Sequence, residues 1–235
     1  MCSRVSGNYP IRLVGALLIV ALAVDLCIAE GRDPKRWEKN IRAFEDADKQ
    51  TPPPQDPILF VGSSTIVGWD VKKWFPNRVA INRGFGGSEI ADAAYYVDRI
   101  VFPYKPKLIV FYSGDNDIAN KNTAEQVLGD FKHFVSRVRE KLPNTPIVLV
   151  SIKPSIARRQ FLDTMREANK LLAEYCKSDP NLHFVDIFSA MLDEKGEPRA
   201  DLLRDDKLHL NEQGYSMVTE KVEAALKEVL SESAK

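Results

Sequence analysis

Histidine is scarce in this chain. There are three in 235 residues, His133, His183 and His209. A site built from several imidazoles therefore has little to draw on, and a reaction that needs an imidazole base has three candidates at most. Net charge is absent as well. The 33 basic and 33 acidic residues cancel, which removes the electrostatic signature of a nucleic-acid binder or of a protein that docks on an acidic surface. Cysteine is limited to Cys2, Cys27 and Cys176. No internal repeat or low-complexity tract interrupts the chain. Long apolar runs are missing except for LVGALLIVALAV, residues 13 to 24, which is short against the roughly 20 residues that span a bilayer.

That run has a recognisable setting. Arg4 and Arg12 precede it, and small residues at Cys27 and Ala29 follow. A basic start, an apolar core and a small-x-small exit predict a secretory signal peptide over residues 1–29, cut after Ala29. The expected protein is exported, periplasmic or extracellular, without stable membrane insertion once cut. A lipoprotein signal fits less well, because Leu26 stands where a small residue belongs before Cys27. Cleavage leaves a formal charge of −1 and Cys176 as the one remaining cysteine. A single cysteine makes no internal disulfide, so burial alone must hold the fold. Cys176 ends a predicted helix and reads as structural.

What is present is organised. Asp33 followed by Pro34 starts a helix over 33–50, with Trp37, Ile41 and Phe44 on one face. TPPPQD then stops it, so residues 30–56 read as an added helix and a stiff connector. From residue 57 to 235 the pattern is that of one domain. Short runs rich in Val and Ile appear at PILFV (57–61), RVAIN (78–82), KLIVFYS (107–113), PIVLVSI (146–152) and HFVDI (183–187). Helical patterns fall between and after them, over about 88–101, 123–141, 158–176 and 211–231. The runs are continuous rather than alternating, which predicts strands buried on both faces. Strands alternating with helices predict a parallel sheet. The expected fold is a three-layer α/β/α sandwich around a five-stranded, flavodoxin-like sheet.

In such sheets, sites form beyond the carboxyl ends of the strands. Those positions hold Gly62-Ser63-Ser64, RGFGGSE (83–89), SGDNDI (113–118) and DDKLHLNEQGY (205–215). Acyl transfer by serine needs a hydroxyl, a base, a carboxylate to orient the base and donors for the oxyanion. His133 is expected mid-helix and His183 at the wrong end of the sheet, which leaves His209. Asp206, three residues earlier, can orient it, with Asp205 as a rival. Ser64 opens a helix after Gly62, so its backbone N–H can also face an oxyanion; Ser63 is the rival nucleophile. Gly87 brings a backbone N–H close without a side chain in the way, with Gly84 and Gly86 as competitors. Asn116 offers a side-chain amide, or caps the turn after the third strand.

Taken together, VGSSTI (61–66), NRGFGGS (82–88), GDND (114–117) and DKLHLNEQGY (206–215) resemble the blocks of the SGNH, or GDSL-type, serine hydrolases. The resemblance spans about residues 57–231. It implies Ser64 as nucleophile, His209 as base and Asp206 as its orienter, and an oxyanion hole of the Ser64 and Gly87 N–H groups with the Asn116 side chain. It implies a flavodoxin-like fold and no metal or organic cofactor. One position departs: Ser63 stands where the family usually has Asp, which leaves open how the nucleophile loop is pinned.

Three other readings compete. An α/β-hydrolase would carry Gly-x-Ser-x-Gly, but Ile66 occupies the last position. A metal phosphoesterase would use Asp115, Asp117, Asp206 and His209 as ligands. A non-catalytic phosphate-binding module would use the GSST turn but leave Asp206 and His209 unexplained. The expectation is a serine esterase acting on small acyl esters, those of carbohydrates among them, with a lysophospholipase or thioesterase as the alternative the resemblance also allows. The partner is then a small-molecule or carbohydrate ester and not nucleic acid. Lys153, Arg158 and Arg159, in KPSIARRQ after the fourth strand, meet an anionic or sugar substrate or, as the favoured reading for the arginines, start a helix in solvent.

Overall fold

The computed structural model describes Met1 and residues 33–232. Apart from Met1, the expected signal peptide, with Cys2 and Cys27, lies outside the described residues. The described residues from Asp33 onward form one compact unit.

Five strands make a wholly parallel sheet: β1 Ile58–Gly62, β2 Ala80–Gly84, β3 Leu108–Tyr112, β4 Ile147–Val150 and β5 Leu182–Val185. Their order is β2-β1-β3-β4-β5, the flavodoxin-like order, in which the chain reverses its direction of travel between β1 and β3. Nine α-helices accompany them among the described residues: α1 Glu38–Gln50, α2 Ser64–Val67, α3 Val71–Trp74, α4 Ile90–Tyr95, α5 Val97–Ile100, α6 Asp115–Ala119, α7 Ala124–Arg139, α8 Leu162–Cys176 and α9 Glu212–Glu232.

Strand alternation sorts the core into two halves. Leu59, Val61, Ile109, Phe111, Ile147 and Leu149 point to one face and pack against Ile41, Ala93, Val97, Phe131 and Leu172 from α1, α4, α5, α7 and α8. Ile58, Phe60, Leu108, Val110 and Val148 point to the other and pack against Ile66 from α2 and Val218, Val222 and Leu226 from α9. The sheet is thus covered on both sides, which is the expected three-layer sandwich.

Burial on both faces holds for β1, β3 and β4, whose residues are all buried, and fails for β2 and β5. Those two are the edges, each with a partner on one side only, so their side chains keep partial access to water. The helix expected over 88–101 is divided at Tyr96, where φ is −94° and ψ 8°. Tyr96 is buried, packs edge-on against Phe85 and donates its hydroxyl to the Pro34 carbonyl at 3.0 Å. The helix expected from 158 becomes regular only at Leu162. Before it, a 3₁₀ stretch over Ile156–Phe161 is broken at Arg158, at φ −121° and ψ 25°.

The first helix starts as expected: the Asp33 carboxylate accepts from the Lys35 N–H and Pro34 opens a 3₁₀ turn that runs into α1. The segment is clamped to the sandwich by Asp92 of α4, whose Oδ2 accepts from Arg36 at 2.8 Å and from the Trp37 indole at 3.0 Å.

Candidate active site

β1 ends in Gly62 at φ +142°, a backbone setting that side chains rarely adopt. A β-carbon there would sit 1.8 Å from the Tyr112 carbonyl of β3. The sharp exit turns the chain straight into α2, so Ser64 is its first residue and keeps a backbone N–H that the helix does not use.

Ser63 and Ser64 then part company. Ser63 is fully buried, with its hydroxyl unpartnered, so it has no access to a substrate, and Ser64 is the half-exposed one. The loop is pinned by other means than the family's usual aspartate. Ser63 donates its N–H to the Tyr112 carbonyl at 3.1 Å, and its own carbonyl accepts from Ile66 and Val67. Asn82 of β2 donates its amide to the carbonyls of Ile66 and Trp69 at 2.5 and 3.0 Å. Along the sequence, Asn82 reads as a strand residue and nothing more. Its partners lie on a different element, and no local pattern marks them.

Across the cleft, the loop before α9 carries His209 and Asp206. Asp206 Oδ1 accepts from the Leu208 and His209 N–H groups, both at 2.9 Å. This fixes the carboxylate so that Oδ2 lies 2.7 Å from His209 Nδ1. The other ring nitrogen, Nε2, lies 3.1 Å from Ser64 Oγ. Spacing of three residues thus serves the carboxylate–imidazole contact, and Asp205 is a neighbouring exposed residue. The bond to the His209 ring, followed by the two backbone bonds, holds the Asp206 carboxyl well below the ordinary carboxylate range. The site is open: the side chains of His209 and Asp206 are 32% and 47% exposed. His133 is exposed on α7, and His183 lies on β5 opposite Val148.

The third wall is the turn after β2. Ser88 N–H closes it on the Phe85 carbonyl, and Gly87, at φ +80°, takes the left-handed position. A β-carbon on Gly86 would lie 3.8 Å from Ser64 Cβ, and one on Gly87 would lie 3.3 Å from the Trp37 ring. The turn therefore runs beside the serine, backed by the added N-terminal segment. Gly84 drops out as a donor because its N–H is taken by Asn82 Oδ1 at 2.9 Å; its missing side chain makes room for α2 instead.

Asn116, in α6 after β3, donates its amide Nδ2 to the Ser88 carbonyl at 2.9 Å. An amide nitrogen carries two hydrogens, so a second donor remains. Its Oδ1 accepts from Arg158 at 2.7 Å. This corrects the solvated reading of Arg158. The side chain turns inward because Asp115 is buried beside it and needs a cation. Lys153 is buried too. Arg159 alone behaves as expected, 64% exposed and paired with Glu197.

Two of the aspartates named for a metal, Asp115 and Asp117, face elsewhere, and Asp206 is engaged by His209. Asp115 pairs with Arg158 and Lys153. Asp117 Oδ1 accepts from the Ile90 N–H at 3.0 Å, and burial pushes its carboxyl well above the ordinary range. Among the described residues, no three His, Cys, Asp or Glu side chains gather as a ligand set.

A doubly wound parallel sheet with a serine, an imidazole and a carboxylate aligned at its carboxyl edge defines a hydrolase of the SGNH type. The chain belongs to the GDSL-like lipase/acylhydrolase family, whose model matches residues 60–217. Platelet-activating factor acetylhydrolase IB subunit alpha1 of Bos taurus is 27% identical over 207 residues, covering 84% of this chain and 85% of its own. Among solved structures, a GDSL-like lipase from Bacteroides thetaiotaomicron superposes with a TM-score of 0.68 at 19% identity, covering 81% of this chain and 98% of that one. A carbohydrate esterase family 3 protein from Talaromyces cellulolyticus does so at 0.59 and 17%, covering 74% and 98%. At such identities these structures share the fold.

Proposed function

We propose that this protein is an exported serine esterase that removes small acyl groups from ester substrates through an acyl-enzyme. The observation that carries the reading is the continuous line from Asp206 Oδ2 to His209 Nδ1 (2.7 Å) and from His209 Nε2 to Ser64 Oγ (3.1 Å). Membership of an acylhydrolase family supports it. A relative named an acetylhydrolase supports a short acyl group.

As Ser64 Oγ attacks the ester carbonyl, His209 Nε2 takes its proton, and Asp206 stabilises the imidazolium and fixes which nitrogen faces the serine. The carbonyl oxygen, now negative, is held by the Ser64 and Gly87 N–H groups and the free hydrogen of Asn116 Nδ2. Collapse breaks the bond to the alcohol, which leaves with the proton from His209. Water then attacks the acyl-serine, gives its proton to His209, and the acid departs as the proton returns to Ser64 Oγ. The reaction as written takes no metal or organic cofactor. The open site favours a bulky alcohol part with a small acyl group, such as an acetylated carbohydrate.

The test is hydrolysis of p-nitrophenyl acetate by the domain from Glu30 onward and by its Ser64→Ala variant, with matched circular dichroism. The variant is expected to lose on the order of 10⁶ in rate. Equal rates in the two proteins sink the reading. A series of acyl lengths then separates an acetyl-type esterase, fastest at two carbons, from a lipolytic one, whose rate climbs with chain length.

A further inference from the structure

The stretch from Lys153 to Arg158 is used at two places at once. At one end of the cleft, Lys153 Nζ donates to the Leu208 carbonyl at 2.7 Å and the Ala157 N–H donates to the Lys207 carbonyl at 3.0 Å. Both acceptors lie between Asp206 and His209. At the other end, Arg158 reaches Asn116. Its Nη2 donates to Asn116 Oδ1 at 2.7 Å, while Nη1 stands 2.7 Å from Asp115 Oδ2. Lys153 and Asp115 are 3.6 Å apart, with side chains 1% and 3% exposed.

Burying three charged groups is costly, and none of the three lies in the line of reacting atoms. What they accomplish is geometric. A primary amide is nearly symmetric in shape, and rotating it by half a turn exchanges its oxygen and nitrogen. Here that exchange is blocked from both sides. Arg158 has donors and no acceptor, so it accepts only the amide oxygen as neighbour. The Ser88 carbonyl has no donor, so it requires the amide nitrogen. With those two contacts made, the remaining Nδ2 hydrogen has one direction left. A guanidinium on the amide oxygen also draws electron density from the nitrogen, making that hydrogen a better donor.

We infer that Arg158 is a positioning residue that locks the Asn116 amide with its second Nδ2 hydrogen toward the oxyanion, and that the Lys153–Arg158 strap keeps this donor in register with the His209 loop. The inference rests on the proposed role of Asn116. Asp115 completes the device by fixing the guanidinium plane, with Lys153 sharing the carboxylate.

Double-mutant kinetics with p-nitrophenyl acetate test it. Arg158→Lys keeps a cation beside Asp115, so folding is retained, but one ammonium does not reproduce the fork that serves Asp115 and Asn116 together. It is expected to lower kcat by about 10- to 100-fold, part of the 10²–10³ that a whole oxyanion donor supplies, with KM within about twofold. Arg158→Met should show the same fall in kcat together with a lower melting temperature. In an Asn116→Ala background the Arg158→Lys change should cost less than about threefold, because the group it acts through is gone. Losses that multiply in that background, or an Arg158→Lys enzyme at full kcat, overturn the positioning role and leave the esterase reading standing. Full turnover in Asn116→Ala alone removes the oxyanion donor itself, and this inference with it.

Discussion

Gly62 shows how little freedom the position of Ser64 has. Its φ of +142° and the 1.8 Å approach to the Tyr112 carbonyl leave no place for a methyl group. Gly62→Ala is therefore expected to cost at least ~3 kcal/mol, read as a shift in the denaturant midpoint, with activity lost as β1 and β3 are forced apart. Asp206→Asn should fold normally and lose on the order of 10⁴ in kcat, because an amide at this site favours the wrong imidazole tautomer. Asp117 gives a pH effect. Burial raises its folded value above the ordinary 3.8, so between those two values the native state holds a proton that the unfolded chain has released. Stability is then full below the unfolded value and falls as pH rises through the folded one. Asp117→Asn keeps the acceptor for the Ile90 N–H and is expected to flatten that decline in denaturation midpoints measured from below the ordinary carboxylate range upward. The residues legible in the sequence, Ser64, Asp206, His209 and Asn116, are those whose position after a strand or whose spacing along the chain limits what they do. Arg158 was not legible, because its inward turn depends on Asp115, which is 43 positions away in sequence and beside it in space. Nothing in ARRQ distinguishes it from Arg159.

At the scale of elements, the strands were readable because buried parallel strands are continuous apolar runs. β1, β3 and β4 match the expected runs to within one or two residues. The expected β2 run began two residues too early, at Arg78, whose guanidinium instead reaches Glu223 of α9. The division at Tyr96 has no local mark in the sequence, and the bond its hydroxyl makes there is to Pro34 on a separate segment. That segment also packs beside the candidate site. Ile41 is fully buried in the core facing α4 and α7, so Ile41→Ala should cost about 2–5 kcal/mol. Trp37 stands edge-on to Phe85 with ring centroids 5.8 Å apart and fills the space beside Gly87. Trp37→Ala is expected to leave the protein folded while loosening the turn, seen as a several-fold lower kcat on p-nitrophenyl acetate and faster amide exchange at residues 85–88.

At the scale of the molecule, the sheet order decides where everything meets. β1 lies between β2 and β3, so the segments carrying Ser64, the Gly87 turn and Asn116 leave neighbouring strands side by side. The last loop then closes over them from α9, where Tyr215 donates to the Thr65 carbonyl at 2.9 Å. The contact between Ser64 and His209 joins positions 145 residues apart. At roughly 5–20 residues per second of synthesis, that separation takes about 7–30 s to cross. Until the loop before α9 has emerged, Ser64 lacks its His209 neighbour. On the proposed mechanism, the unfinished chain therefore carries its nucleophile without the group that activates it.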